Sequence, residues 1–250
     1  MWAGLAVSVV FCVVIVWLYG IRLYDAVSRP RNPDHYPLFN VGTSLTVALT
    51  IDDVPWRFAP LGMSSSIGAI GDVLARHGCS ATLMVIGSYT ESAPVEILET
   101  MRRLCAKGII EYANHGYTNS KHARLSVHDL GREIAATDSI IRSHLLANDG
   151  RGMTKFYRPG CGVFHQEMLK CVAACGYETV LGDVYSFDPQ IPVPLLHLIH
   201  MMVTVRPGGI IILHDRPWTP ALLRWLLPLL KWRGYRVEML SKALERAKTQ

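Results

Sequence analysis

The chain has 250 residues, half of them apolar, only 18% charged, with a formal net charge of +5 at pH 7. An average soluble domain is roughly 25% charged, so intrinsic disorder, collagen-like repeats and low-complexity chains are excluded. Six cysteines are too sparse for a disulfide-built miniprotein, and the 25 Lys and Arg form no dense basic stripe of the kind nucleic acid requires.

Residues 1–21 contain no charged side chain. About 20 helical residues span roughly 30 Å, the thickness of a bilayer core. Trp2, Trp17 and Tyr19 stand where interfacial aromatic residues are expected. The run is read as a single-pass transmembrane anchor, and the chain as a membrane protein. A cleaved signal peptide fits less well, because no Lys or Arg precedes the apolar run. Arg22, Arg29 and Arg31 follow it, which by the positive-inside rule places the rest in the cytoplasm. A secretory-pathway enzyme needs the opposite topology. Residues 22–40, with Pro30, Pro33 and Pro37, read as an extended linker onto a domain at 41–250.

From residue 41 short apolar runs alternate with longer helical stretches. The expected strands are 45–51, 81–87, 109–114, 155–157, 179–182, 209–213 and 235–239. The expected helices are 66–77, 94–107, 127–146, 166–174, 194–203, 220–231 and 241–247. Near-continuous apolar strands separated by helices indicate a parallel sheet covered by helices. Seven such units suit an α/β fold, either open or barrel-like. Such folds place their chemistry at the carboxyl ends of the strands.

Those ends are polar. The run LTVALTI leads into Asp52 and Asp53. Two carboxylates after a buried strand are costly unless used or paired, although Asp-rich turns also cap loops. The third strand leads into Asn114 and His115, with His122 beyond. Histidine is a common metal ligand and acid or base, and equally a satisfied core residue. Arg158-Pro159-Gly160-Cys161-Gly162 follows the fourth strand: the arginine suits a buried carboxylate, and the turn offers backbone N–H groups or is merely structural. Asp183 ends the fifth strand, with Asp188 five residues on, and His214-Asp215 ends the sixth.

In this order the residues resemble the polysaccharide deacetylase family with the NodB-homology domain, carbohydrate esterase family 4. ATLMVIG at 81–87 is similar to that family's second strand. The resemblance covers roughly residues 45–242. It implies a distorted (β/α)7-type barrel and a metal-dependent hydrolase that removes N-acetyl groups from an N-acetylglucosamine-containing glycan such as chitin or chitooligosaccharide. The implied cofactor is a divalent metal, usually Zn2+, which activates water and polarises the acetyl carbonyl. By position, Asp52 becomes the general base and His214 the general acid. Arg158 orients Asp52, and Asp183 tunes His214. Asp53, His115 and His122 become metal ligands, and the Cys161 N–H joins the oxyanion site. Tyr185 and Trp218 offer aromatic faces to a sugar.

Two departures stand out. The family's second motif has histidines four residues apart, whereas His115 and His122 are seven apart and position 119 is Asn. Either His122 reaches back from a longer loop, or another group supplies the third ligand. Cys161 replaces the third motif's usual aromatic residue. The altered spacing leaves open a degenerate, glycan-binding module without metal catalysis. An Asp-dependent phosphoryl-transfer enzyme is disfavoured, since no Gly-rich phosphate loop is visible.

Overall fold

The computed structural model describes residues 2–29, 35–57, 64–146 and 150–249, the side chains of 2–11 excepted. Helix α1 (Trp2–Ser28) comes first, so the opening residues of the expected linker are helical. Pro30, Pro33 and the side chain of Trp2 lie outside the described residues. Among the described residues no helix is long and apolar enough to cross a membrane.

The strands are β1 (Thr46–Val54), β2 (Ala81–Val85), β3 (Ile110–Asn114), β4 (Met153–Tyr157), β5 (Glu178–Thr179), β6 (Val184–Tyr185), β7 (Ile210–His214) and β8 (Arg236–Glu238). They form one parallel sheet in the order β5-β4-β3-β2-β1-β7-β6. β8 pairs with the first residues of β1, from Thr46 to Ala48, below the point where β2 takes over. All nine residues of β1 are buried, as a central strand covered on both faces must be. The curled sheet is a half-barrel in line with the expected (β/α)7-type barrel. The segment before β1 reaches from β5 to β7: Leu38 pairs with Val180, just after β5, and Asn40 with Gly209, just before β7.

The helices after α1 are α2 (Ile67–Arg76), α3 (Gly87–Glu91), α4 (Val95–Ala106), α5 (Val127–Ile140), α6 (Gln166–Ala174), α7 (Pro194–Thr204), α8 (Thr219–Trp232) and α9 (Leu240–Lys248). The expected helix 127–146 ends at Ile140 and goes on as a π turn through Leu145. The α2 stripe Ile67, Ile70, Val73 and Leu74 follows helical spacing and is buried, packing in one cluster with Leu222, Leu226 and Leu230 of α8. Ser126 caps α5 by accepting the Asp129 N–H at 3.1 Å. Helix α1 packs on α7: the His200 Nε2–H donates to the Trp17 carbonyl at 3.0 Å, and the two rings meet edge-on.

Candidate active site

Alternate residues of a strand face opposite ways, yet Asp52 and Asp53 line the same cavity. The register of β1 against β2 shifts between Ile51 and Val54, and Asp53 has a φ of 60°. This bulge turns the second carboxylate toward the first. The cavity has a volume of about 620 Å3 and is also lined by His115, Asn119, Arg158, His214 and Arg216. Gly20, Ile21 and Tyr24 of α1 form part of its wall.

Asp52 meets Arg158, which follows β4. The Arg158 Nη1–H donates to Asp52 Oδ1 at 2.5 Å and to Thr50 Oγ1 at 2.7 Å. Its remaining donors reach the carbonyls of Val180 and Leu181. The guanidinium is 2% exposed, so its charge is balanced by protein groups alone. Opposite Asp52 in the register of β1 and β7 lies His214. Its Nδ1–H donates to Asp188 Oδ1 at 3.0 Å, and its backbone N–H to Asp188 Oδ2 at 2.9 Å. Nε2 is the ring nitrogen left for the cavity. Burial pulls the His214 pKa down, but Asp188, with Asp52 and Asp53, outweighs burial and leaves it raised.

Asp183 does not tune His214. Its carboxylate accepts from Arg206 Nε at 2.6 Å and from the Ile210 N–H at 3.0 Å, at the start of β7. His214 stands at the other end of that strand. The residue that holds His214 is Asp188, which the loop after β6 returns to the strand end.

His115 follows β3. Its Nδ1–H donates to the Arg158 carbonyl at 2.7 Å. Nε2 then faces Asp53 Oδ1 at 3.6 Å and Asp52 Oδ2 at 3.9 Å. Burial lowers the His115 pKa, yet the hydrogen bond with Asp53 and the nearby carboxylate charges outweigh it, and the net shift is upward. For Asp53, burial pushes upward, while His115, His214 and Arg216 hold the carboxyl below the usual range.

His122 does not join this pair. It is fully buried, and both ring nitrogens are engaged by protein. Nδ1 accepts from the Tyr157 hydroxyl at 2.7 Å and the Gly160 N–H at 3.0 Å, and Nε2–H donates to the Thr118 carbonyl at 3.0 Å. Gly116 makes room for the ring, and Gly160 for the neighbouring Ser120 carbonyl. A Cβ on Gly116 would sit 2.3 Å from the ring, and one on Gly160 would sit 2.0 Å from the Ser120 carbonyl oxygen. Asn119 takes the place beside Asp53 instead, with Nδ2 donating to Asp53 Oδ1 at 3.4 Å.

The other Asp53 oxygen belongs to Arg216, whose Nη2–H donates to Oδ2. The Arg216 Nη1–H donates to the Asp215 carbonyl at 2.9 Å, and the guanidinium lies 4.9 Å above the Trp56 ring. Cys161 lines the cavity from a tight turn at a φ of 64°. Tyr185 lines it as well, 6.0 Å from the His214 ring. Trp218 stands behind the wall, and its indole N–H donates to the Asp188 carbonyl at 3.2 Å.

The profile of the polysaccharide deacetylase family matches residues 41–180 of the chain. The chain belongs to the polysaccharide deacetylase family. It is 28% identical over 218 residues to a chitooligosaccharide deacetylase of Bradyrhizobium sp., covering 81% of this chain and 92% of that protein. It is 24% identical over 205 residues to a peptidoglycan-N-acetylglucosamine deacetylase of Bacillus cereus, covering 79% and 87%. In fold it is similar to a CE4 family pseudoenzyme from Bacillus anthracis, with a TM-score of 0.72 at 22% identity, covering 85% of this chain and 70% of that one.

Deacetylases of this family generally use a divalent metal. A catalytic zinc takes three protein ligands and keeps one position open. Here Asp53 Oδ1 and His115 Nε2 stand 3.6 Å apart, as two ligands of one ion would. The third place holds the Asn119 amide as a donor, and a guanidinium covers the second Asp53 oxygen. Among the described residues no group of three His, Cys, Asp or Glu is arranged to hold a metal. The donor set does not fit a three-ligand zinc site.

The sequence did not single out Asp188 as the partner of His214, Arg216 as the partner of Asp53, or Asn119 as a neighbour of Asp53. Asp188 was visible only as a second acid five residues after Asp183, and Arg216 as the basic residue after His214-Asp215.

Proposed function

We propose that the chain hydrolyses the N-acetyl group of an N-acetylglucosamine-containing glycan, such as chitin or a chitooligosaccharide. One observation carries this reading: Asp52 held by Arg158, and His214 held by Asp188, stand in register on neighbouring strands at one cavity. In the reaction Asp52 takes a proton from water as the water oxygen bonds to the acetyl carbon. His214 gives a proton to the glucosamine nitrogen as the carbon–nitrogen bond breaks. The products are acetate and the free amine. The Cys161 N–H is assigned to the carbonyl oxygen, and Tyr185 to the sugar face. The names of the Bradyrhizobium and Bacillus cereus relatives support the substrate class. No step is assigned to the zinc expected from the resemblance, since His122 is engaged elsewhere and both Asp53 oxygens already accept from protein groups. The test is acetate release from a panel of acetylated chitooligosaccharides and peptidoglycan fragments, by wild type and by Asp52→Asn. Release by wild type that Asp52→Asn loses supports the reading; release by neither overturns it.

A second reading is a glycan-binding module on the same fold, without metal catalysis. The incomplete ligand set around Asp53 favours it. It predicts glycan binding with no acetate release from any of these substrates.

The uncharged run 1–21 is proposed as a single-pass membrane anchor. Exposed Val13 and Val16 on α1, and Leu195, Ile199 and Val203 on α7, support an apolar setting beside the cavity. Alkaline carbonate extraction of the full chain, with protease protection of the domain, tests both the anchor and its topology. Complete release into the supernatant overturns the anchor.

A further inference from the structure

Two carboxylates and two guanidiniums meet at the end of β1, and they pair one to one. Arg216 is not a loose surface side chain. It is fastened to Asp53 and to the Asp215 carbonyl, and it stacks over Trp56. Asp215 is fixed in turn, accepting from the N–H groups of Trp56 and Ser66 at 2.9 and 2.8 Å and from the Ser65 hydroxyl. Asp53 therefore already has its counter-charge. A divalent ion beside it would leave excess positive charge in a buried site, which is unfavourable without a further anionic ligand. The place of a third ligand beside Asp53 is taken by Asn119, whose amide donates to Asp53 Oδ1, and Asp52 is already paired with Arg158.

We propose that Arg216 is the resident cation of this cavity, and that the chain does not retain zinc there. Arg216 lines the cavity beside Asp53. On the deacetylase reading above, it is the positive group that meets the substrate's carbonyl oxygen.

The test uses the full chain, stripped with EDTA and titrated with zinc chloride by calorimetry. Asn119→His/Arg216→Ala, which restores a one-Asp, two-His set, is the comparison. The expected result is zinc binding to wild type about 100-fold weaker than to the double variant, the scale on which altered surroundings change metal affinity. Acetate release by wild type is expected to survive EDTA, and Arg216→Ala is expected to lose it. One zinc per wild-type chain, bound as tightly as by the double variant, overturns the proposal. So does activity abolished by EDTA and restored by zinc. Should the double variant not fold, the wild-type titration decides against Asp53→Asn: stoichiometric zinc that this variant loses overturns the proposal, and its absence supports it. If no substrate releases acetate, the deacetylase reading fails, while the titration still decides which cation holds the site.

Discussion

Arg158 and Arg216 face adjacent carboxylates from opposite flanks of β1, and they are held differently. Arg158 comes from the β4 side and is enclosed by Asp52, Thr50 and the carbonyls of Val180 and Leu181. Arg216 comes from the β7 side, touches Asp53 and the Asp215 carbonyl, and leaves one aspect on the cavity. Both line the cavity, but the first has four protein acceptors and fixes where Asp52 points, whereas the second has two and leaves more of its guanidinium to a ligand. An arginine beside a carboxylate is thus two different devices, depending on how many protein acceptors surround it.

The largest expected effect is on the enclosed side. Arg158→Met leaves Asp52 buried without its partner and should destabilise the fold by about 3–5 kcal/mol, read by urea denaturation. Arg216→Met should lose less, about 1–3 kcal/mol, because Arg216 makes two hydrogen bonds where Arg158 makes four. Equal losses would break the comparison. Gly160→Ala probes the loop behind Arg158, where a Cβ collides with the Ser120 carbonyl. Overpacking there should reduce stability by about 1–3 kcal/mol, while the same change at Gly131, where a Cβ meets nothing, should not.

The smallest effect is a shift along the pH axis. The His214 pKa is raised in the folded chain. The stability this confers is therefore fully present below the unfolded value of about 6.5 and is lost as pH rises through the folded value. An acid role for His214 means that acetate release falls over the same upper limb. Asp188→Asn removes the raising charge, so both the NMR titration of His214 and that limb should move to lower pH. A limb that stays in place would show that Asp188 positions His214 without charging it.

Much of the architecture was legible because buried parallel strands leave a distinct imprint. The apolar run of β1, the ATLMV of β2 and the IIIL of β7 could be read directly, and α6 was expected at its observed bounds. The two-residue strand β6 was not legible, since so short a segment carries no periodicity. The same gap explains Asp183. Without β6 the sequence offered no means of seeing that the chain reaches the strand end only at Asp188.

By itself, the sequence determined most of the strand and helix segments along the chain, the polar residues at the strand ends, and the resemblance to the deacetylase family. These are local properties, written in hydrophobic periodicity and in short motifs. Only the tertiary structure decided which side chains meet. It set the Asp53 bulge, turned both nitrogens of His122 onto protein groups, and brought Asn119 and Arg216 to Asp53. Those outcomes depend on contacts between residues far apart in the chain, up to the 163 positions between Asp53 and Arg216. Charge balance and hydrogen-bond satisfaction in a buried site are settled in space, and spacing along the chain does not encode them.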